Sequence, residues 1–253
     1  LVRHDEPFRR LVHQGMILGE DGEKMSKSRG NVINPDSVVE KYGADTLRMY
    51  EMFMGPLEKD KPWSTTAIEG SHRFLMRVWR LLVDEAGKAI VTDGAALDPE
   101  DVKILHKTVK KVTEDIETLG FNTAISQMMV FVNHFTKQGR APRSVMSVFT
   151  QLLAPFAPHL AEEIWEKLGH RESISLHPWP SFDPALVRDD KITIAVQVLG
   201  KTRGTIEIDV GLPQPEIEAL AKAIPQVANQ MKGKQIKKVI FVPGKILNFV
   251  VVD

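Results

Sequence analysis

Residues 152–165 read Leu-Leu-Ala-Pro-Phe-Ala-Pro-His-Leu-Ala-Glu-Glu-Ile-Trp, and this stretch decides how the middle of the chain is interpreted. Apolar residues recur at helical spacing on both sides of Pro155 and Pro158, which is typical of an amphipathic helix. Because proline has no backbone N–H, each of the two removes one helical hydrogen bond. The stretch therefore predicts an apolar helix that kinks or breaks at the prolines and buries Phe156 and Trp165.

Three more helices are predicted upstream of this one. Thr66 and Glu69 have the spacing of a capping box at the start of the first helix. Asp98 precedes a proline and can cap the second helix, and Asn122 can cap the third. Behind each start, apolar residues repeat at helical spacing. Four helices joined by short polar segments predict an antiparallel bundle over residues 64–172.

The pattern changes towards the C-terminus. Residues 173–190 contain three prolines and few periodic positions, so they are predicted to be a linker. Residues 191–253 show two pairs of alternating apolar and polar segments with a helical segment between the pairs. Gly200 can form the tight turn of the first pair, and Pro225 interrupts the helix. This pattern predicts a small α+β domain with the order ββαββ.

The segment before the bundle mixes short elements. Over residues 1–63, Pro7 can begin a helix that runs to about Gln14, and a short strand follows. A polar loop over residues 20–31 then leads to Asn34, whose side chain can cap a helix that begins at the next residue. The predicted fold is therefore mixed: a loop-bearing segment, a helical bundle and a small α+β domain.

Composition limits the class of protein. The 253 residues are 43% hydrophobic and carry 33 basic against 33 acidic side chains, so any basic surface has to be local. The chain contains no cysteine, which excludes disulfides and thiolate metal sites and favours a reducing compartment. No apolar run is long enough to span a bilayer, and polar residues occupy the place of a signal-peptide core. These features predict a cytoplasmic protein without a membrane partner.

One loop sequence points to chemistry. Residues 24–28 read Lys-Met-Ser-Lys-Ser, and lysines on either side of a serine can neutralise charge on phosphate oxygens. Serine hydroxyls and backbone amides can hydrogen-bond the same oxygens. An ordinary solvated loop can also be rich in lysine and serine, so the residue types alone leave both interpretations open.

These five residues match the KMSKS signature of the class I aminoacyl-tRNA synthetases, and the chain resembles that family around them. Asn-Pro-Asp at 34–36 and Tyr-Gly-Ala-Asp-Thr-Leu-Arg at 42–48 follow at the family's spacing, although helix caps and core packing would also explain them. The resemblance implies that Lys27 contacts the triphosphate of ATP and stabilises the transition state of amino-acid activation. It also implies that Lys24 shapes the mobile loop and that stem-contact helices follow. The other ATP-binding residues that it implies are Met25, Ser26 and Ser28.

The second nucleotide signature of that family, His-x-Gly-His, is absent, as are the glycine-rich βαβ units expected before it. The resemblance thus implies a catalytic region that precedes this chain or forms a separate subunit, and a fragment that is inactive alone. Leu1 in place of methionine also suggests a piece of a longer chain, although a missing initiator or a processed end would look the same. Magnesium is expected to accompany ATP as substrate, and no metal site is predicted in the chain.

The stretch at 152–165 resembles the last helix of the anticodon-binding bundle that leucyl, valyl, isoleucyl and methionyl enzymes share. Residues 196–204 and 238–248 resemble the C-terminal domain of bacterial-type leucyl-tRNA synthetases. The resemblance therefore implies the C-terminal part of an enzyme that activates leucine with ATP and transfers it to tRNA(Leu). Two alternatives stay open: a non-enzymatic tRNA-binding module or subunit of a split synthetase, and a synthetase for valine, isoleucine or methionine.

A local excess of lysine lies near the C-terminus. Residues 232–245 contain five lysines and no acidic residue. Lysines on strands and turns can contact phosphates, which gives a sequence-independent and salt-sensitive attraction. Lysines also protect edge strands from aggregation, and charge alone does not decide between the two functions. The family resemblance favours tRNA. The candidate tRNA-binding residues are Lys232, Lys234, Lys237 and Lys238.

Overall fold

The structure is a computed structural model that describes residues 3, 5–6, 8–94, 97–188 and 191–252. The chain divides into two compact units whose boundary lies between Val187 and Arg188. A helical bundle in the first unit and a small α+β fold in the second confirm the predicted fold class. Within the described ranges, no helix combines the length and the apolar character that a membrane crossing requires.

The first unit begins with short elements around residues 20–31, the motif loop, which contains the Lys-Met-Ser-Lys-Ser stretch. They are β1 (Ile17–Leu18), α1 (Pro35–Tyr42), α2 (Ala44–Phe53) and β2 (Lys61–Pro62). β1 pairs with β2 in parallel, so both ends of this segment meet. The side chain of Asn34 accepts a hydrogen bond from the backbone N of Asp36 at 3.0 Å, which is the predicted cap of α1.

The helix predicted over residues 7–14 is not formed in its described part. Residues 8–14 contain no helix, and Pro7 itself lies outside the described residues. The side chains of Phe8 and Leu11 are exposed, so no apolar surface supports a helix there. Short helices are marginal in water without such packing. The prediction is therefore wrong for residues 8–14.

The bundle fills the rest of the first unit. Its helices are α3 (Thr65–Leu82), α4 (Pro99–Thr118), α5 (Phe121–Gln138), α6 (Arg143–Leu153) and α7 (Pro158–Lys167). Their apolar faces form one core, in which the ring of Phe131 stacks on Phe149 with centroids 4.5 Å apart. Removal of these side chains from water is the main force that holds the helices together.

The start of α3 differs from the predicted capping box. Ser64 is the cap, because its hydroxyl accepts a hydrogen bond from the backbone N of Ala67 at 3.3 Å. Ser64 has the extended backbone that a cap requires, whereas Thr66 already lies inside the helix. The carboxylate of Glu69 instead lies 3.9 Å from the guanidinium of Arg73.

The predicted cap of α4 is present, whereas the predicted cap of α5 is not. The carboxylate of Asp98 accepts a hydrogen bond from the backbone N of Glu100 at 2.9 Å, which confirms the cap of α4. Asn122 does not cap α5, because that helix begins at Phe121 without a side-chain cap. The residue before α5 is Gly120, which follows the tight turn at the end of α4. Asn122 already lies inside the helix, so its side chain cannot act as the cap.

The two prolines separate α6 from α7, as predicted. Residues 154–157 lie between the helices, and Pro158 is the first residue of α7. A proline is tolerated at this position because its missing N–H would have no partner within the helix. Phe156 and Trp165 are both buried, in agreement with their predicted place in the core.

Most of the predicted linker packs on the bundle. Ile174 begins a short 3₁₀ helix and is buried in the core. The indole N–H of Trp179 donates to the hydroxyl of Thr113 at 2.8 Å, and the backbone N of Asp183 donates to Nδ1 of His106 at 3.0 Å. Residues 173–187 therefore belong with the first unit, although their low periodicity predicts a linker.

The second unit contains one four-stranded sheet and two short helices. Its elements are β3 (Lys191–Val198), β4 (Lys201–Asp209), α8 (Gln214–Lys222), α9 (Pro225–Met231), β5 (Gln235–Val242) and β6 (Ile246–Val252). The strand order is β4-β3-β6-β5, with β3 and β6 parallel and the other pairs antiparallel. Helix residues Ile217 and Val227 share a core with sheet residues Val196 and Phe249. The ββαββ prediction holds, with the helix divided at Pro225.

The turn between β3 and β4 is strained at one residue. Leu199 and Gly200 form this turn with φ angles of 51° and 77°. Glycine adopts positive φ without cost, whereas a leucine there brings its Cβ close to the following carbonyl oxygen. The side chain of Leu199 is 54% exposed, so little burial offsets the strain.

We expect Leu199→Asn to stabilise the second unit by about 1 kcal/mol, because asparagine tolerates positive φ and favours this type of turn. Chemical denaturation of the chain, followed by a probe in the second unit, measures the change. Leu199→Ala is the control, since it shortens the side chain but keeps the strain. Equal stability of the asparagine and alanine variants would contradict the explanation.

Candidate functional site

The motif loop exposes its lysines, whereas its methionine is half-buried. Lys24 and Lys27 are exposed, whereas Met25 packs against the apolar cluster that contains Tyr50 and Trp63. Met25 thus attaches the loop to the fold through its half-buried side chain. Of the five predicted ATP-binding residues, Met25 therefore has a packing contact that the other four do not share.

The second half of the loop is a turn that gathers hydroxyl groups. The Oγ atoms of Ser26 and Ser28 lie 3.2 Å apart, and the backbone N of Arg29 donates to Oγ of Ser26 at 3.3 Å. Gly30 allows the turn because it adopts a φ of 71°. The loop therefore places two hydroxyls between exposed cations, as phosphate binding requires.

Residues 20–31 carry three acidic and three basic side chains, and the basic ones lie in the second half of the loop. Arg29 lies 3.6 Å from Glu23, and both side chains are exposed. In the described parts of the chain, no carboxylate lies within ion-pair distance of Lys24 or Lys27. These two ammonium groups can therefore bind an anion without first releasing an internal partner.

Asn31 closes the neck of the loop. Its Oδ1 accepts a hydrogen bond from the backbone N of Ser26 at 2.9 Å, and its Nδ2 donates to both carboxylate oxygens of Asp21 at 3.1 Å. The pKa of Asp21 is lowered by the backbone N–H of Glu23 and then by Asn31. Asn31 ends the polar loop predicted over residues 20–31, but the sequence does not show that its side chain folds back onto Ser26.

The segment after the loop holds the bundle through Asp45. This nearly buried carboxylate accepts a hydrogen bond from the backbone N of Leu160 at 2.7 Å, 115 residues later in the chain. It also lies 2.8 Å from Nδ1 of His159. Because α7 has no cap of its own, Asp45 supplies one from α2. Arg48 adds a bond from its guanidinium to the carbonyl of Pro155 at 3.0 Å.

The contacts of Asp45 give residues 42–48 a role beyond their own helix. The sequence of residues 42–48 predicts a helix cap and core packing, and Asp45 does lie in the first turn of α2. Its carboxylate nevertheless caps a different helix. Periodicity along one helix cannot reveal a partner on another, so no local signal identifies this contact.

The four candidate tRNA-binding lysines lie at one end of the second unit's sheet. Lys232 and Lys234 precede β5, and Lys237 and Lys238 lie in its first half; all four are exposed. β5 is an edge strand with a bulge at Lys237. Lys245 lies in the turn after β5, next to Val242, and is therefore about 13–17 Å along the strand from Lys238 and Lys237 at about 3.3 Å per residue. The lysine-rich stretch is therefore divided between two ends of the sheet.

The topology brings a further lysine to the first of these ends. Lys201 pairs with Val198, which is aligned with Phe249 and, through it, with Val239. Lys201 therefore lies across the sheet from Lys238. The two lysines lie on the opposite edge strands β4 and β5, which three strand spacings of about 4.8 Å separate by about 14 Å.

No metal centre accompanies these sites in the described part of the chain, where no group of three or more histidine, aspartate or glutamate side chains could hold an ion.

The histidine ring that stacks on Trp165 belongs to His170. Burial, followed by the charges of His177 and Arg143, lowers the pKa of His170. This ring is therefore part of the packing at the end of α7.

The chain is similar to known proteins over most of its length. The family described as "tRNA synthetases class I (I, L, M and V)" matches residues 1–64, and "Anticodon-binding domain of tRNA ligase" matches residues 102–221. A leucine–tRNA ligase of Bdellovibrio bacteriovorus is 55% identical over 253 residues, which are 99% of this chain and 31% of that protein. One from Leptospira biflexa is 51% identical over 250 residues, which are 99% of this chain and 29% of that protein.

A solved structure is similar over the same extent. It is described as the ternary complex of Agrobacterium radiobacter LeuRS, tRNA and LeuAMS, with a TM-score of 0.71 and 32% identity. The match covers 99% of this chain and 34% of that one. The chain thus spans about a third of the length of the relatives that it matches.

The cap that Asp45 provides can be tested by stability. We expect Asp45→Ala to destabilise the first unit by about 1–2 kcal/mol, because the first amides of α7 lose their acceptor. Asp45→Asn should cost less, since an asparagine oxygen can still accept. Thermal and chemical denaturation of the chain measure both changes. The control is Asp36→Ala, which removes an exposed acid from the first turn of α1; an equal loss there would contradict the explanation.

Proposed function

We propose, on the premise that this chain belongs to the leucyl-tRNA synthetase family, that it is the C-terminal part of an enzyme that attaches leucine to tRNA(Leu). The observation that carries the proposal is the motif loop, in which two exposed lysines flank a serine that Asn31 holds in place. High identity to leucine–tRNA ligases over almost the whole chain supports leucine over valine, isoleucine or methionine.

The reaction has two steps. In the first, the carboxylate of leucine attacks the α-phosphorus of ATP, which gives leucyl-adenylate and releases pyrophosphate. In the second, a hydroxyl of the terminal adenosine of tRNA displaces AMP from the adenylate. Neither step needs a covalent enzyme intermediate. Magnesium accompanies ATP as part of the substrate.

Charge stabilisation is the contribution that this chain makes to the first step. Negative charge increases on the leaving pyrophosphate as the bond to the α-phosphorus breaks. In this proposal the ammonium group of Lys27 stabilises that charge, while Lys24 and the hydroxyls of Ser26 and Ser28 orient the phosphates. Met25 keeps the loop attached to the fold during this step, through its contacts with the apolar cluster.

The remaining elements would bind tRNA. The bundle matches the anticodon-binding family over most of its length, and the related Agrobacterium structure contains tRNA. Lysines at one end of the second unit's sheet supply the local positive charge that phosphate contacts require, on a chain whose formal net charge is zero.

The activation step tests the assignment of Lys27. In a leucyl-tRNA synthetase that contains this chain, Lys27→Ala should lower the rate of leucine-dependent pyrophosphate exchange by about 10²-fold or more and leave the KM for leucine nearly unchanged. A charge that acts mainly in the transition state affects turnover more than substrate binding.

Lys59→Ala is the matched control, since it removes an exposed lysine outside the loop. Its rate should equal that of the unmodified enzyme. A Lys27→Ala enzyme with normal turnover and weakened leucine binding would overturn the assigned function of Lys27.

The lysines of the second unit can be tested by the salt dependence of tRNA binding. Replacement of Lys237 and Lys238 by alanine should weaken tRNA binding and reduce the slope of log affinity against log salt by about 1 per lost phosphate contact. Adenylate formation should not change. Titration of tRNA at several salt concentrations, with light scattering recorded in parallel, measures these effects.

Lys245→Ala is the control for this experiment, because it removes one lysine at the other end of β5, where no contact with tRNA is proposed. If the lysines only protect the edge strand, affinity and slope will stay constant and the double variant will aggregate more. That result would remove Lys237 and Lys238 from the proposed tRNA-binding surface.

A further inference from the structure

Glu20 connects the motif loop to the first helix of the bundle. It lies at the start of the loop, two residues after β1, and its carboxylate accepts two hydrogen bonds from Thr65, the first residue of α3. The backbone N of Thr65 donates at 3.0 Å and its hydroxyl at 2.6 Å. Donor and acceptor are 45 residues apart in the chain.

The carboxylate is ionised at neutral pH. The hydroxyl of Thr65, followed by its backbone N–H, lowers the pKa of Glu20. An ionised carboxylate at the N-terminus of a helix is favoured by the partial positive charge there, and hydrogen bonds to a charged acceptor are stronger than neutral ones. Glu20 and the start of α3 are therefore joined by a charge-assisted contact.

The neighbouring residue continues the connection into the loop. Asp21 accepts hydrogen bonds from the side chain of Asn31, which in turn accepts one from the backbone N of Ser26. Ser26 lies between the two lysines of the motif. A series of contacts thus leads from Thr65 through Glu20 to the centre of the loop.

The start of α3 does not depend on Glu20 for its cap. Ser64 already accepts a hydrogen bond from the backbone N of Ala67, and its own backbone N donates to the hydroxyl of Tyr50 at 2.8 Å. The contact with Glu20 is therefore additional to an independent cap. The contact between Glu20 and Thr65 therefore acts on the position of the loop rather than on the start of α3.

We propose that Glu20 is a positioning residue that fixes the base of the motif loop to the first turn of α3. It would hold Lys24 and Lys27 in a defined place relative to the bundle. The consequence for catalysis rests on the proposed function of the loop, whereas the consequence for loop order does not.

Loop order is measured on the 253-residue chain by amide hydrogen exchange at Ser26, whose N–H is bonded to Asn31. Glu20→Ala should accelerate this exchange about 3- to 10-fold, the effect of losing a hydrogen bond of ordinary strength. Glu20→Gln retains an acceptor oxygen and should recover part of the protection. Glu20 is exposed, so neither variant threatens the core.

Ser64→Ala is the matched control, because it weakens the same helix start without touching the loop. It should leave exchange at Ser26 unchanged. The proposal is wrong if Glu20→Ala does not accelerate exchange, or if Ser64→Ala accelerates it equally, since the effect would then come from α3 alone.

Activity in the complete enzyme separates this proposal from the function of the loop. Glu20→Ala should lower kcat of pyrophosphate exchange about 10-fold with little change in the KM for leucine, and Glu20→Gln should restore most of the rate. If Lys27→Ala slows exchange and Glu20→Ala does not, the positioning role fails and the function of the loop stands. If Lys27→Ala has no effect, the function of the loop itself fails.

Discussion

The backbone amides at the start of a helix must find acceptors, and this constraint shapes the first unit. Each helix begins with N–H groups that have no partner within the helix, and an unpaired buried amide is costly. The break that two prolines impose before α7 creates such a start without a local cap. Asp45 satisfies it from α2, and the loop-bearing segment is thereby fixed to the end of the bundle. Arg48 adds a second polar contact on that side, through its bond to the carbonyl of Pro155.

Helix starts also need acceptors elsewhere in the loop-bearing segment and where it joins the bundle. α1 is capped by Asn34 from the adjacent residue, whereas α3 has both a local cap in Ser64 and a distant acceptor in Glu20. Distant acceptors do more than complete a helix, because they join parts of the chain that are far apart in sequence. The loop-bearing segment is therefore attached to the bundle on two sides, by Glu20 and by Asp45, although the loop itself faces solvent.

The second unit solves a different problem, which is the protection of sheet edges. β4 and β5 are the two edge strands, and both contain a bulge where one residue lacks a partner in the ladder. Bulges and lysines are both means by which edge strands avoid pairing with other chains. The same lysines can contact phosphates, so edge protection and nucleic-acid binding do not exclude each other physically. Lys237 and Lys238 can therefore protect the edge strand in the free protein and contact phosphates when a nucleic acid is bound.

The sequence by itself determined the elements of this protein, and the tertiary structure decided how distant residues meet. Helical spacing, the proline break before α7 and the alternation in residues 191–252 are local signals, so they predicted most helices and strands correctly. Resemblance to the class I synthetases identified the family because the KMSKS stretch and its surroundings are specific. Local signals failed for residues 8–14, which lack an apolar partner, and for residues 173–187, whose packing depends on Thr113 and His106. The contacts of Asp45 and Glu20 and the separation of Lys245 from the other lysines arose only in the folded chain, because each depends on which elements become neighbours.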